Sequence, residues 1–356
     1  MPRRVTRPPR SVTRRASQGP FVSAVRPVRS SRPMQRISTA VTVKHLLRRL
    51  RADERRGARQ LASLAARLLG LLLTGPGGSA WEARLERGTV ALLEAQPAMA
   101  PLLFLANAVW LALEGGVDEA ARRAAARAAL AGARASLEAS AEGVARAAAR
   151  LTASARSVVT ISGSSTVLAA VARLAKGHPL RVIVGEGRPA LEGRRLAASA
   201  ARVGCRVTLV ADAALPGQVR GADAVLVGAD ALLRGAAINK VGTYPLLLAA
   251  RAEGVPSYLL ADRSKLVPDP LAPLLRLPAR DPARLWRDPP PRVSVARADF
   301  EGMPLSLLSA IVTEGGPASA AAVARRLAAL PAARFLRQLA AGRGLRVQPR
   351  AAPGRR

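Results

Sequence analysis

From Val41 to Arg156 apolar side chains recur every three or four residues, the spacing of helices that bury one face or more. The two most apolar runs in this half, Leu61–Leu73 and Pro101–Leu113, predict buried helices. Both fall short of the ~20 residues a membrane span needs, and Arg67 interrupts the first. Residues 118–151, DEAARRAAARAALAGARASLEASAEGVARAAARL, set Ala and Arg at helical spacing and contain no Pro. They predict one long helix, or two joined near Gly132, with a solvated Arg face. After Arg156 the period changes. SVVTI (157–161), RVIVGE (181–186), CRVTLVAD (205–212), ADAVLVGAD (222–230) and VPSYLLAD (255–262) are short aliphatic runs, most of them separated by enough chain for a crossover helix. That alternation predicts an α/β fold with a mainly parallel sheet. In such sheets ligands bind beyond the carboxyl ends of the strands, so candidate chemistry is sought there.

The ends of the chain read differently. Residues 1–33 carry nine Arg with many Pro and Ser and no acid, so the first 38 residues are expected to be a disordered basic arm. A start at Met34 would remove most of it. Residues 317–356 are expected to be a basic extension of one more helix and a loose tail, RVQPRAAPGRR. Between the ends lie an expected helical domain, 39–156, and an expected sheet domain, 157–316.

Composition narrows the function classes. The formal charge of +33 invites a nucleic-acid partner. Only four of the 56 basic residues are Lys, however, and Ala, Gly and Pro abound, a bias of genome-wide origin. The scarcity of acids is not explained that way, so weak phosphate contacts to RNA through the basic ends remain an expectation. Aromatics at 3% argue against base stacking. Cys205, the only cysteine, excludes an intrachain disulfide or a cysteine metal cluster and is expected to be a buried structural thiol at the head of the third strand. His45 and His178 are too few for a histidine zinc site or a Ser-His-Asp triad. No metal and no cofactor is expected. With no membrane span and no secretory pattern at the N-terminus, a cytoplasmic location is expected.

The polar residues cluster where the strands end. After the first strand come Ser162, Gly163 and Ser164, which supply backbone N–H groups for an anion and equally good helix caps. This loop is neither a Walker loop nor a nucleophile elbow, and GEGRPALEG (185–193) lacks dinucleotide-binding spacing. The second strand ends near Glu186, with Arg188 before Pro189 as a bidentate phosphate ligand. Asp212, Asp230 and Asp262 follow the next three, with Lys265 beyond the last. Such carboxylates often cap helices. Asp230 stands apart because Asn239 and Lys240 return to the same end of the sheet. Arg56, beside Gly57 and Ala58 at the start of a helix, adds a further cation.

The string GADALLRGAAINKVGT, followed by LAARAEGVPSYLLADRSKL, resembles the translation initiation factor 2B alpha/beta/delta family, which includes ribose-1,5-bisphosphate isomerase and methylthioribose-1-phosphate isomerase. VTISGSSTV, VGEGRPALEGRRLA and VTLVADAAL are similar to its preceding strand ends, and FEGMPLSLLSAIVTEGG to its C-terminal segment, so the likeness runs over residues 40–316. The resemblance implies a helical N-terminal domain, a Rossmann-like second domain and a homodimer or higher homo-oligomer. It implies conversion of a C1-phosphorylated aldose to a 1-phospho-ketose, with Asp230 as acid/base and Asn239 and Lys240 holding substrate. Arg56-Gly57-Ala58 resembles a phosphate loop, and Arg188 lies in a Glu-x-Arg-Pro motif. Two positions depart. Ser162 stands where the isomerases carry a catalytic Cys, and a hydroxyl is a far weaker acid than a thiol of pKa ~8.5. Gln96-Pro97 stands where they carry Arg-Pro, which removes one phosphate contact. The implied function is a sugar-phosphate isomerase of the ribose-1,5-bisphosphate type; the alternative is a non-catalytic phosphosugar- or nucleotide-binding protein like the translation factors.

Overall fold

The computed structural model describes residues 39–342 except Arg55, Ser79 and Pro278, so the expected arm of residues 1–38 and the tail from Arg343 lie outside the described residues. Five helices come first: α1 (Thr39–Ala52), α2 (Ala58–Thr74), α3 (Trp81–Ala95), α4 (Ala100–Leu113) and α5 (Glu119–Leu151). Leu61, Leu68 and Leu69 of α2 and Leu102, Leu105 and Val109 of α4 are fully buried, because the three-to-four spacing turns them to one another. The Ala/Arg run is one helix of 33 residues. Asp118 caps it, accepting from Ala121 N at 2.7 Å. Gly132 costs only ~1 kcal/mol against Ala, too little to break a helix otherwise built of strong formers. Its N-terminal part, as far as Leu137, buries Ala126, Leu130 and Leu137 among the helices, and the remainder lays Val144, Ala145 and Ala148 on the sheet.

The sheet part follows as β1 (Ser157–Ile161), α6 (Ser165–Leu174), β2 (Arg181–Gly185), α7 (Glu192–Arg202), β3 (Arg206–Val210), β4 (Ala224–Gly228), β5 (Ala231–Leu233), β6 (Ala236–Lys240), α8 (Thr243–Ala252), β7 (Ser257–Leu260), β8 (Phe300–Pro304), β9 (Ala310–Thr313) and β10 (Gly316–Ala318), then α9 (Ala320–Ala329) and α10 (Arg334–Ala341). The main sheet runs β10-β9-β7-β4-β1-β2-β3, and all its pairings are parallel except β9 with β10. Alternate residues serve opposite faces. Val158, Val182 and Leu226 meet α5, α6 and α7, whereas Val159, Ile183 and Val227 lie with Leu246, Leu247 and Leu327 of α8 and α9. The five aliphatic runs thus form five parallel strands of an α/β fold.

Between β3 and β4 the chain makes two short 3-10 turns, Asp212–Ala214 and Pro216–Gln218, since Pro216 and Gly217 stop a helix at once. Two elements differ from the sequence-based expectation. Residues 231–240 are no simple junction: β5 and β6 form an antiparallel hairpin, and β8 joins it in a second three-stranded sheet. Beyond Gly316 the chain forms two helices, not one. Pro331 separates them, and α10 returns to the helical core, burying Leu336 and Ala340 while Phe335 stacks on Trp110 at 4.2 Å. No helix among the described residues is long and apolar enough to cross a membrane.

Candidate functional site

A cavity of about 470 Å³ opens beyond the carboxyl ends of β1, β4 and β7 and is roofed by the starts of α2 and α4. Its size suits a small metabolite (~300–1,000 Å³). Arg56, Gly57, Ala58, Ser162, Gly163, Ser164, Asp230, Asn239, Lys240 and Lys265 all line it. The chain thus brings these ten residues together from five separate segments, whereas Glu186, Arg188 and Asp212 lie outside the lining.

Asp230 follows β4 and is gripped by its backbone from two directions. Its N–H donates to Ile238 O at 2.8 Å across the hairpin, and its carbonyl accepts from Ala100 N, the first residue of α4, at 3.0 Å. Its carboxyl is pushed above the usual carboxylate range by burial, drawn back by Lys265 and Lys240, and raised again by Glu192. Asp262, at the end of the neighbouring strand β7, serves otherwise: its Oδ1 accepts from Ser264 N at 3.0 Å and from the Ser264 hydroxyl. That cap fixes the turn Arg263–Lys265 and delivers Lys265, buried, to the cavity.

Lys240 is buried and its Nζ donates to Glu192 Oε1 at 3.2 Å. Asn239 is oriented through Thr243: Asn239 Nδ2 donates to Thr243 Oγ1 at 3.0 Å, and that hydroxyl donates to Lys240 O at 2.6 Å. The β6 end is therefore a rigid holder for one amide and one ammonium. Glu192, the first residue of α7, presents a second carboxylate; its Oε2 is buried and has no hydrogen-bond partner among the described residues. A buried acceptor in that state costs ~1–3 kcal/mol, a burden usually met where a ligand is handled.

The loop after β1 divides its labour. Ser164 is the N-cap of α6, accepting from Val167 N at 3.3 Å. Ser162 has a φ of 64°, a left-handed conformation uncommon for a residue with a Cβ and frequent at functional sites. Close packing keeps the loop there. A Cβ on Gly228 would lie 2.7 Å from Ser164 Oγ, and one on Gly163 would lie 2.9 Å from Glu192 Cβ.

Opposite stands Arg56 at the start of α2, whose N-cap, Gly57, offers no side chain, so the first turn of the helix borders the cavity as an uncapped positive pole. Arg56 N donates to Asp53 Oδ1 at 2.8 Å and its guanidinium pairs with the same carboxylate. Gln96 holds this corner from below. Its Nε2 donates to Leu50 O at 2.7 Å and Asp53 O at 2.8 Å, so the residue that departs from the Arg-Pro pattern is a buried strut rather than part of the cavity wall.

Arg188 corrects the reading of the second strand end. It does not line the cavity. Its Nε donates to Glu186 Oε1 at 2.9 Å, its side chain is 65% exposed, and its backbone N–H donates to Asp212 Oδ2 at 2.6 Å. Hydrogen bonds from Arg188 and Arg194 hold Glu186 below the usual carboxylate range. This cluster braces a turn. Cys205 is buried just before β3, remote from the strand ends, and burial pushes its thiol up. Among the described residues no group of three or more His, Cys, Asp or Glu is placed to hold a metal. Glu192, Met99, Arg195 and Phe300 also line the cavity and were not singled out from sequence. Only Glu192 carries a signal, an acid beside a glycine at a helix start; the apolar pair has none.

The profile of the Initiation factor 2 subunit family matches residues 35–319. A methylthioribose-1-phosphate isomerase of Desulforudis audaxviator is 34% identical over 178 residues, 47% of this chain and 51% of that protein. The match thus spans about half the length of that relative. Among solved structures, the translation initiation factor eIF-2B of Pyrococcus horikoshii OT3 is similar with a TM-score of 0.68 at 26% identity, covering 78% of this chain and 96% of that one. The 5-methylthioribose 1-phosphate isomerase of the same organism shares the fold, with a TM-score of 0.61 at 22% identity over 80% of this chain and 87% of that one. With four-fifths of its length under the profile, and with the strand-end cavity the fold creates, the chain belongs to the Initiation factor 2 subunit family.

Proposed function

We propose that the chain is a sugar-phosphate isomerase that converts a C1-phosphorylated pentose to the corresponding 1-phospho-ketose. The observation that carries this reading is the raised Asp230 carboxyl facing Lys240 and Lys265 in a cavity whose far wall is an uncapped helix start with Arg56. Opening the furanose ring needs a proton on the ring oxygen, and a carboxyl held up by burial is suited to give it. Cleavage of the C1–O4 bond leaves positive charge on C1 and its phosphate-bearing oxygen. A base then removes the C2 hydrogen, and its electron pair forms C1=C2. Return of a proton to C1, with loss of the O2 proton, leaves C2=O and a CH2 group still carrying the phosphate. Nothing is gained or lost overall. Glu192 is the other carboxylate of the cavity wall not engaged in capping and serves as the base. Asn239, Lys240 and the Arg56-Gly57-Ala58 loop bind oxygens, and Ser162 orients the sugar or a water.

The resemblance and the relatives leave two substrates to distinguish, methylthioribose-1-phosphate and ribose-1,5-bisphosphate. Incubation with each, followed by NMR detection of a 1-phospho-ketose, tests the reading. Ketose from either supports it. A second reading, a phosphosugar or nucleotide binder without turnover, is favoured by Ser162 in the place of a thiol. Stabilisation by a ligand without ketose would select it. Half-exposed Leu209 and Val203 beside edge strand β3 support a homo-oligomer, checked by light scattering.

A further inference from the structure

Arg297 has a side chain only 2% exposed, just after a run of mostly solvent-exposed chain, residues 281–296. Its Nε donates to Asp299 Oδ1 at 3.0 Å and one terminal nitrogen to Asp299 Oδ2 at 3.0 Å, a fork on one carboxylate. The same nitrogen donates to Glu54 Oε2 at 2.9 Å, and the other terminal nitrogen to Asp281 O at 3.2 Å. Glu54 lies two residues before Arg56. Asp299 is joined to the opposite wall: its backbone carbonyl accepts from Val241 N at 3.1 Å, the residue after Lys240, and the next residue, Phe300, pairs in register with Lys240. One buried guanidinium therefore connects the loop that carries Arg56 to the strand that carries Asn239 and Lys240, without lining the cavity itself.

A buried charge held only to stabilise the fold is a poor choice, since well-packed apolar residues often do as well or better. The fork geometry fixes distance and angle, which apolar contacts do not. Around the hub, Arg280 approaches Asp299 at 3.3 Å and Arg284 approaches Glu54 at 2.9 Å. Both can compensate charge, but only Arg297 touches the two acids together.

We infer that Arg297 is a positioning residue that sets the span between the Arg56 loop and the Asn239–Lys240 strand end, and so governs anion affinity in the cavity without touching the anion. The inference rests on the anion-binding part of the reading above and not on turnover. Its test is a double-mutant cycle read by titration of the intact protein with inorganic phosphate. Arg297→Met is expected to weaken phosphate binding about tenfold, a typical coupling between linked sites. In an Arg56→Ala background the same change is expected to cost less than twofold, because the contact it positions is already gone. Glu54→Gln, a milder change at the same contact, is expected to weaken binding in the same direction and guards against an unfolded Arg297→Met. Losses that add fully in the double variant, or an Arg297→Met protein of lower thermal stability with unchanged phosphate affinity, would reduce Arg297 to a structural residue and overturn the inference. A wild-type chain with no phosphate binding would overturn it too. A chain that binds phosphate in this pattern but turns over no pentose phosphate would sink only the isomerase.

Discussion

The two walls of the cavity are built on different principles. On the sheet side, Asp230, Asn239, Lys240 and Lys265 are held by main-chain hydrogen bonds of a hairpin and by a capped turn, and the last three are buried. On the helical side, Arg56 is 41% exposed and its loop is held by side chains reaching in from elsewhere, Gln96 beneath it and Arg297 beside it. The first arrangement gives precise placement and perturbed ionisation, as proton transfer requires. The second gives a cationic arm whose position depends on a few distant contacts. In our account chemistry belongs to the sheet wall and the capture of phosphate is shared.

That division can be broken by mutation. The largest effect is expected from Asp230→Asn, which keeps shape and removes the titrating proton: kcat should fall about 10³-fold with little change in ligand-induced stabilisation. Equal losses in binding and rate would make Asp230 a binding residue. Lys240→Met is next. It removes a ligand contact and leaves Glu192 without its partner, so KM should rise about 100-fold and thermal stability should drop as well. A change in only one of the two would separate the roles we combine. Arg56→Ala should raise KM about tenfold and lower thermal stability modestly, since it takes one partner from the buried Asp53 carboxylate, whereas Arg188→Ala should leave KM within about twofold. A large effect at Arg188 would contradict its assignment to the outer turn.

The smallest effect is on stability and follows from the sign of the Asp230 shift. Burial raises its folded-state pKa above the unfolded one, so as pH rises the unfolded chain releases this proton first. Asp230 therefore takes stability away progressively from the ordinary carboxylate range up to its raised value. Asp230→Asn should flatten that part of the stability–pH curve and raise the melting temperature slightly at neutral pH. A lower melting temperature of the variant at neutral pH would show that Lys240 and Lys265 outweigh burial.

The sheet wall was largely legible in the sequence and the helical wall only in part, for a physical reason. Strand ends announce themselves: an aliphatic run stops, and Asp230 or Asp262 follows. Which of the two caps a turn was not legible, because it depends on Ser264 folding back onto Asp262. The segment 231–240 hid its hairpin because AINK and ALL are short and apolar without strict alternation, and the pairing with Phe300–Pro304 is remote in sequence. Gln96 stands where a cation is expected, and its service as a buried strut has no sequence signal; only tertiary packing reveals the two carbonyls it serves. Arg297 gave no signal at all, one Arg among 56 basic residues in a Pro-rich stretch. Contacts between distant segments carry no local pattern, and the helical wall consists mostly of such contacts.

Under the proposed function, this cavity moves a proton between C1 and C2 of a C1-phosphorylated pentose. The most direct test is incubation of the wild-type chain with methylthioribose-1-phosphate or ribose-1,5-bisphosphate in deuterium oxide, followed by NMR of the product. We expect a 1-phospho-ketose from at least one of them, with deuterium entering C1 from solvent and Asp230→Asn slowing its appearance about 10³-fold. Ketose that forms at the wild-type rate in Asp230→Asn, or no ketose from either sugar while both stabilise the fold, would contradict it.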